Sequence, residues 1–303
     1  MEKLFSKKTV ETKGGKGQKP NWKKAEKRPP RENTPQTQSA EVKEKRQLEK
    51  RAPERPKKEM KNIEASLDSS RFRLLNEMLY TQSSEESQKY FSGNNEAYKI
   101  YHEGFSQQTA RWSHEPVKIV AEYIKSHRDN LGGGELLDLG CGTGQLEILL
   151  KDTGIYKAIH SYDLVQTSPH VQICDIKNVP RPDHSASTVV FCLSLMGTNY
   201  IDFIVEANRL LKSQGHLIIA EVTSRFSSPT LFTVMMVQLG FQQIHTEDLG
   251  THFNLLVYKK RASPHSLPSA KCTFLKDKHG QFRQMTLAEF SKMLLKPCIY
   301  KRR

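Results

Sequence analysis

One stretch limits what this chain can fold into: Glu135-Leu136-Leu137-Asp138-Leu139-Gly140-Cys141-Gly142-Thr143-Gly144, running straight into Gln145-Leu146-Glu147-Ile148-Leu149-Leu150. An apolar strand passes through three closely spaced glycines and becomes a helix. Such a turn lets a nucleotide's ribose and tail lie against bare backbone at the carboxyl end of a strand. Asp138 narrows the choice of nucleotide, because a carboxylate two residues before the first glycine repels phosphates. The Lys-[Ser/Thr] pair of a P-loop is missing after Gly144, and the third glycine comes one residue too early for G-x-G-x-x-G. S-adenosyl-L-methionine has no phosphate, and its ammonium and sulfonium tolerate a nearby carboxylate. Asp163 closes the next apolar segment, nineteen residues past Gly144, where an acid suits hydrogen bonding to ribose hydroxyls.

From residue 132 onward strand and helix patterns alternate, which argues an α/β fold with a seven-stranded, mostly parallel, Rossmann-like sheet. The pattern predicts strands at 135–139, 158–163, 171–174, 188–193, 216–222, 241–246 and 252–258, with helices at 144–151, 201–211 and 230–239. The last two strands are separated only by Asp248-Leu249-Gly250, so they form an antiparallel edge. Upstream lies a helical block. Phe72, Leu75 and Leu79 share a face, Ser83 and Glu86 make a capping box, and Asn94 or Asn95 caps a helix carrying Tyr98, Tyr101, His102, Phe105 and Trp112. Pro116 starts a further helix with Val117, Val120, Ala121 and Ile124 as its buried stripe.

Charge divides the chain more sharply than length does. Residues 1–61 hold 20 Lys/Arg against 9 Asp/Glu, a surplus of 11 out of the chain's +14. Phe5 and Trp22 are the only aromatics in the first sixty residues, too few to offset the entropy of ordering. The expected organisation is therefore a disordered basic arm at 1–65, a helical block at 66–131, a cofactor-binding domain at 132–260 and an extension at 261–303. The extension reads as a linker at 263–268, a small docking strand at Phe274-Leu275, a helix at 287–295 and a basic end. Clusters such as Lys23-Lys24-Ala25-Glu26-Lys27-Arg28 suit nuclear import and salt-sensitive RNA contact. The five cysteines show no metal spacing and suit a reducing compartment, and no apolar run approaches a membrane span.

The D-x-G-x-G-x-G turn resembles the cofactor motif of class I methyltransferases. Four segments resemble one family more closely: Arg71 to Tyr80; Tyr101-His102-Glu103-Gly104-Phe105; Val190-Phe191-Cys192-Leu193-Ser194-Leu195-Met196-Gly197-Thr198-Asn199; and Ala220-Glu221-Val222-Thr223-Ser224-Arg225-Phe226. They are similar to the ribosomal RNA-processing protein 8 family, called nucleomethylin in animals. The resemblance implies a nuclear, nucleolar enzyme that uses S-adenosyl-L-methionine to methylate N1 of an adenosine in large-subunit ribosomal RNA. Its implied partners are ribosomal RNA, the pre-ribosome and nucleolar proteins. It also assigns roles: His102 closes over the cofactor, Gly140 and Gly142 let it approach the backbone, and Asp163 binds the ribose. Asp175 and Ile176 flank the adenine, and Cys192 lines the methionine end. Two departures stand out, Gly142-Thr143-Gly144 for a Gly-Asp pair and Lys212-Ser213-Gln214-Gly215 for a Lys-Pro-Gly-Gly turn.

Adenine N1 carries a free lone pair, so no general base is needed to make it nucleophilic. The chain offers no catalytic Asp/His pair near the fourth strand, and Phe191-Cys192-Leu193-Ser194 stands where enzymes acting on exocyclic amines carry [Asn/Asp]-Pro-Pro-[Tyr/Phe]. No proline or threonine precedes Cys192 in the manner of a cytosine-attacking thiol. N1 lies on the pairing edge, so the base must leave its helix, and Tyr101, Phe105, Trp112 and Phe226 are candidates to stack on it. The competing reading is a nucleolar adapter, active in ribosomal-DNA silencing or ribosome assembly, that binds the cofactor with little catalysis.

Overall fold

A computed structural model describes residues 57–110, 112–249, 252–261, 272–276, 282–285 and 287–300. The basic arm up to residue 56, the linker at 263–268 and the terminal residues 301–303 lie outside the described residues.

The helical block comprises α1 (Lys57–Thr81), α2 (Ser84–Ser92), α3 (Asn95–Thr109), α4 (Pro116–Ser126) and α5 (Arg128–Leu131). Then β1 (Glu135–Leu139), α6 (Gln145–Leu150), β2 (Ala158–Asp163), β3 (Val171–Ile173), β4 (Ala186–Cys192), α7 (Tyr200–Leu210) and β5 (Leu211–Val222) alternate. The chain finishes with α8 (Pro229–Gln238), β6 (Phe241–Asp248), β7 (Phe253–Lys260), a hairpin of β8 (Cys272–Lys276) and β9 (Phe282–Met285), and α9 (Leu287–Leu294). The seven-stranded sheet runs β3-β2-β1-β4-β5-β7-β6, with β7 antiparallel to both its neighbours. Leu136, Leu137 and Leu139 of β1 are fully buried because a parallel strand in mid-sheet is covered on both faces. One face packs on α7, α8 and α9, the other on α4 and α6. The chain leaves β1 toward β2 on one side and returns to β4 on the other. The loops at the carboxyl ends of β1 and β4 therefore diverge and open a crevice there.

The helical block has its own apolar cluster, built on Phe72, Leu75, Leu79, Phe91, Tyr98 and Tyr101. Ser83 and Glu86 form the reciprocal cap of α2, and Asn94 caps α3. Gly104 is what lets α1 and α3 touch, since a Cβ there would meet the Phe72 ring at 2.5 Å.

Several boundaries differ from the sequence reading. The border expected at 65–66 falls inside α1, whose run of Lys, Glu and Met is rich in good helix formers despite its charge. Helix α3 stops at Thr109, so Trp112 lies beyond it. Lys212-Ser213-Gln214-Gly215 falls within the bounds of β5 but makes no pairing there, and it forms the expected turn as a bulge between Leu211 and His216, with Gln214 at φ 64°. The extension is no appendage, because Phe290, Leu294 and Leu295 are buried in the main core beside Tyr200, Phe226 and Phe232.

Candidate functional site

The crevice between the β1 and β4 loops is roofed by α3 and the start of α2, and it encloses about 440 Å³. All eight residues singled out from the sequence line it: His102, Asp138, Gly140, Gly142, Asp163, Asp175, Ile176 and Cys192.

The glycine turn is shaped by close contact. Gly140 (φ 76°) and Gly142 (φ 60°) both take the left-handed conformation that side chains resist. A Cβ on Gly140 would sit 2.4 Å from Cβ of Ser194, and one on Gly142 would sit 3.2 Å from Cε1 of His102. The first glycine thus lets the β1 and β4 loops meet, and the second lets the helical roof come down on the turn.

Three acids face the cavity in different ways. Asp163, at the end of β2, accepts from the Tyr98 hydroxyl and from the amides of Leu164 (2.7 Å) and Gly142 (2.6 Å). Asp175 accepts from the Ser84 hydroxyl at 2.8 Å and the Lys177 amide at 3.1 Å. Asn199 locks Ser84 in turn, taking its amide and donating to its hydroxyl, each at 3.0 Å. Asp138 is only 2% exposed, and its Oδ1 has no hydrogen-bond partner. Burial, reinforced by the charges of Asp163 and Glu147, pushes its carboxyl up to about 8. A cation brought in by a ligand would favour the ionised form of such an acid and gain a counter-ion there.

His102 Nε2 is also buried without a partner, and burial holds the imidazole below its usual range. Burial pushes the Cys192 thiol far up, which makes it a wall and not a nucleophile. Lys118 is the single Lys or Arg in the described lining, against Glu115, Asp138, Asp163 and Asp175, and it pairs with Glu115 at 2.9 Å. This crevice is hostile to phosphate. Its glycine cradle and two unpartnered polar atoms fit a phosphate-free adenosyl cation.

The proposed stacking aromatics separate. Phe105 and Tyr101 line the cavity, although Tyr101 is buried with its hydroxyl on the Met196 sulfur at 3.6 Å. Trp112 lies outside, edge-on to Phe253 in an adjoining hollow. Phe226 is a core residue: it forms a backbone bridge with Leu295, packs edge-on to Phe232, and does not reach the cavity. Tyr98, Ser84 and Asn199 were not legible as site residues, since their partners lie 65 to 115 residues away.

A family model described as "Hypothetical methyltransferase" matches residues 57–303. The chain is 38% identical over 237 residues to Ribosomal RNA-processing protein 8 of Caenorhabditis elegans, covering 78% of this chain and 61% of that protein. It is 37% identical over 237 residues to the protein of the same name in Mus musculus, covering 78% and 46%. It is 35% identical over 244 residues to the 25S rRNA (adenine(645)-N(1))-methyltransferase of Schizosaccharomyces pombe, covering 78% and 70%. The chain thus spans about half the length of the mouse and worm relatives it matches.

Proposed function

This chain belongs to the ribosomal RNA-processing protein 8 family, and from that premise we propose that it methylates N1 of an adenosine in large-subunit ribosomal RNA, in the nucleolus. The observation that carries the reading is the phosphate-hostile cavity with Asp138 Oδ1 and His102 Nε2 unpartnered inside it. S-adenosyl-L-methionine, when bound, supplies a methyl group activated by its sulfonium.

The chain's own residues do the rest. Asp138 provides negative charge for the methionine end, Asp163 accepts from ribose hydroxyls, and Asp175 with Ile176 flanks the adenine. His102 closes the roof over the glycine turn, and burial disfavours a positive charge on its ring. Cys192 and the loop after it wall the side from which an acceptor enters. Their task is alignment, because a positioned nucleophile gains its rate from orientation. The N1 lone pair carries no proton to remove, so the transfer needs no general base. A paired adenosine would have to be flipped out, with Phe105 the aromatic best placed to receive it. The basic arm supplies salt-dependent RNA affinity, so a chain lacking residues 1–56 should bind RNA more weakly at low salt.

The test is transfer of labelled methyl to unmodified large-subunit ribosomal RNA, followed by nucleoside mass spectrometry. The reading requires 1-methyladenosine and a matching primer-extension stop. Label in N6-methyladenosine or in protein would overturn it, and cofactor binding without transfer would favour the adapter.

A further inference from the structure

Glu221 and Arg225 play no part in the cofactor reading, yet they are among the most buried charges in the molecule, at 0% and 2% exposure. Arg225 follows β5 in a short 3-10 turn (Thr223–Arg225). Its guanidinium donates to Glu221 Oε2 at 2.5 Å, to the Leu195 carbonyl at 2.8 Å and to the Lys296 carbonyl at 2.9 Å, and it lies 4.7 Å from the Tyr80 ring. Three segments distant in sequence, the β4–α7 loop, α1 and the C-terminal tail, meet on one side chain. Desolvation makes a buried ion pair a poor source of stability, so its worth lies in what it holds in place. Only arginine offers a planar fork of five donors that can fix two carbonyls and a carboxylate together.

What it holds is the back of residues 193–197. The front of that loop lines the cavity through Leu193, Ser194, Met196 and Gly197. Leu193 has φ 59°, a conformation that persists only where its surroundings over-determine it. The Leu193 amide donates to the Ala220 carbonyl at 2.9 Å and the Ser194 hydroxyl to the Leu139 carbonyl at 2.6 Å, and Arg225 supplies the third restraint. The tail is anchored from several sides. The Lys296 amide donates to the Arg225 carbonyl at 2.7 Å, the Asn76 side chain to the Cys298 carbonyl at 2.7 Å, and Tyr300 packs on Phe72 at 5.3 Å.

Resting on the methyl-transfer reading above, we infer that Arg225, held by Glu221, is a positioning residue: it clamps the loop at 193–197 between the C-terminal tail and α1, in the shape that aligns the acceptor base with the methyl group. Residues 296–300 are then part of the active-site scaffold. They sit behind the loop and touch no substrate.

The full-length chain, Arg225→Lys and the paired change Glu221→Leu with Arg225→Met test this. The lysine keeps the charge beside Glu221 and loses the fork, and the apolar pair removes the buried charges together. In both variants kcat for RNA methylation should fall about tenfold or more, since small misplacements are amplified in the rate. The Kd for S-adenosyl-L-homocysteine should stay within about threefold, and the apolar pair should melt no lower than the parent. A folded variant with kcat within about twofold of the parent overturns the inference. A kcat loss matched by an equal loss of cofactor affinity overturns it, and so does failure of both variants to fold. No transfer by the unsubstituted chain overturns the methyl-transfer reading along with it, whereas transfer by the parent and undiminished kcat in the variants overturns the inference alone.

Discussion

Asp138, Gly140 and Gly142 on one side of the cavity, and Tyr98, Ser84 and His102 on the other, are brought to the same space by different means. The first three sit on or just past a strand in mid-sheet, buried on both faces and paired on both edges. The second three ride on helices joined to the sheet wall largely through side-chain bonds, among them Tyr98 to Asp163 and Ser84 to Asp175 and Asn199. A change in the sheet wall alters the shape of the site itself. A change in the helical wall leaves that shape and loosens the roof. On the function proposed above, the sheet wall would set cofactor choice and the helical wall would set how firmly the roof is held.

The harshest way to break the comparison is Gly140→Val. The positive φ and the 2.4 Å approach to Ser194 leave no room for a side chain, so S-adenosyl-L-homocysteine should bind about 100-fold more weakly or worse by calorimetry. Asp138 offers a milder test through pH. Its folded value near 8 lies above the unfolded one, so the group costs the free protein stability increasingly as pH rises from about 4 to about 8. A bound cation favours the ionised form, so cofactor affinity should rise about tenfold per pH unit over pH 6–8 and level off above. Asp138→Asn should flatten that profile and raise the melting temperature of the free protein at pH 8.

Tyr98→Phe tests the helical wall. It removes one donor from Asp163 while the two amides remain, so cofactor affinity should fall about tenfold, a loss of roughly 1 to 1.5 kcal/mol. The sheet itself should be untouched, which amide exchange in β1 and β2 would confirm. Smallest of all is Cys192→Ala. Its neutral thiol only lines the cavity, so methyl transfer should stay within about threefold, and a complete loss would mean that the thiol does chemistry.

How much of this was legible in the sequence follows the same division. β1 and β2 match the sequence reading residue for residue, since the glycine turn fixes the end of β1 and the acid nineteen residues past Gly144 fixes the end of β2. Asp138 and Asp163 came with them, because their positions follow from the strands that carry them. His102, Asp175, Ile176 and Cys192 entered through family resemblance, as no local pattern distinguishes a ligand-facing histidine or cysteine from a core one. Tyr98 was seen only as one aromatic in a helical stripe, because its bond spans 65 residues. Phe226 was misjudged for the converse reason. An aromatic in a loop after a strand looks available, and only the fold reveals α9 and Leu295 packed against it. The same packing puts Phe290, Leu294 and Leu295 of the extension into the core.

Calorimetry on the full chain at pH 8 puts the central claim to its most direct trial. S-adenosyl-L-homocysteine should bind at one site with a micromolar Kd (a Kd of 1 μM is about 8 kcal/mol), and NADH should give no heat. Silence from the first titration and a clear isotherm from the second would contradict the account.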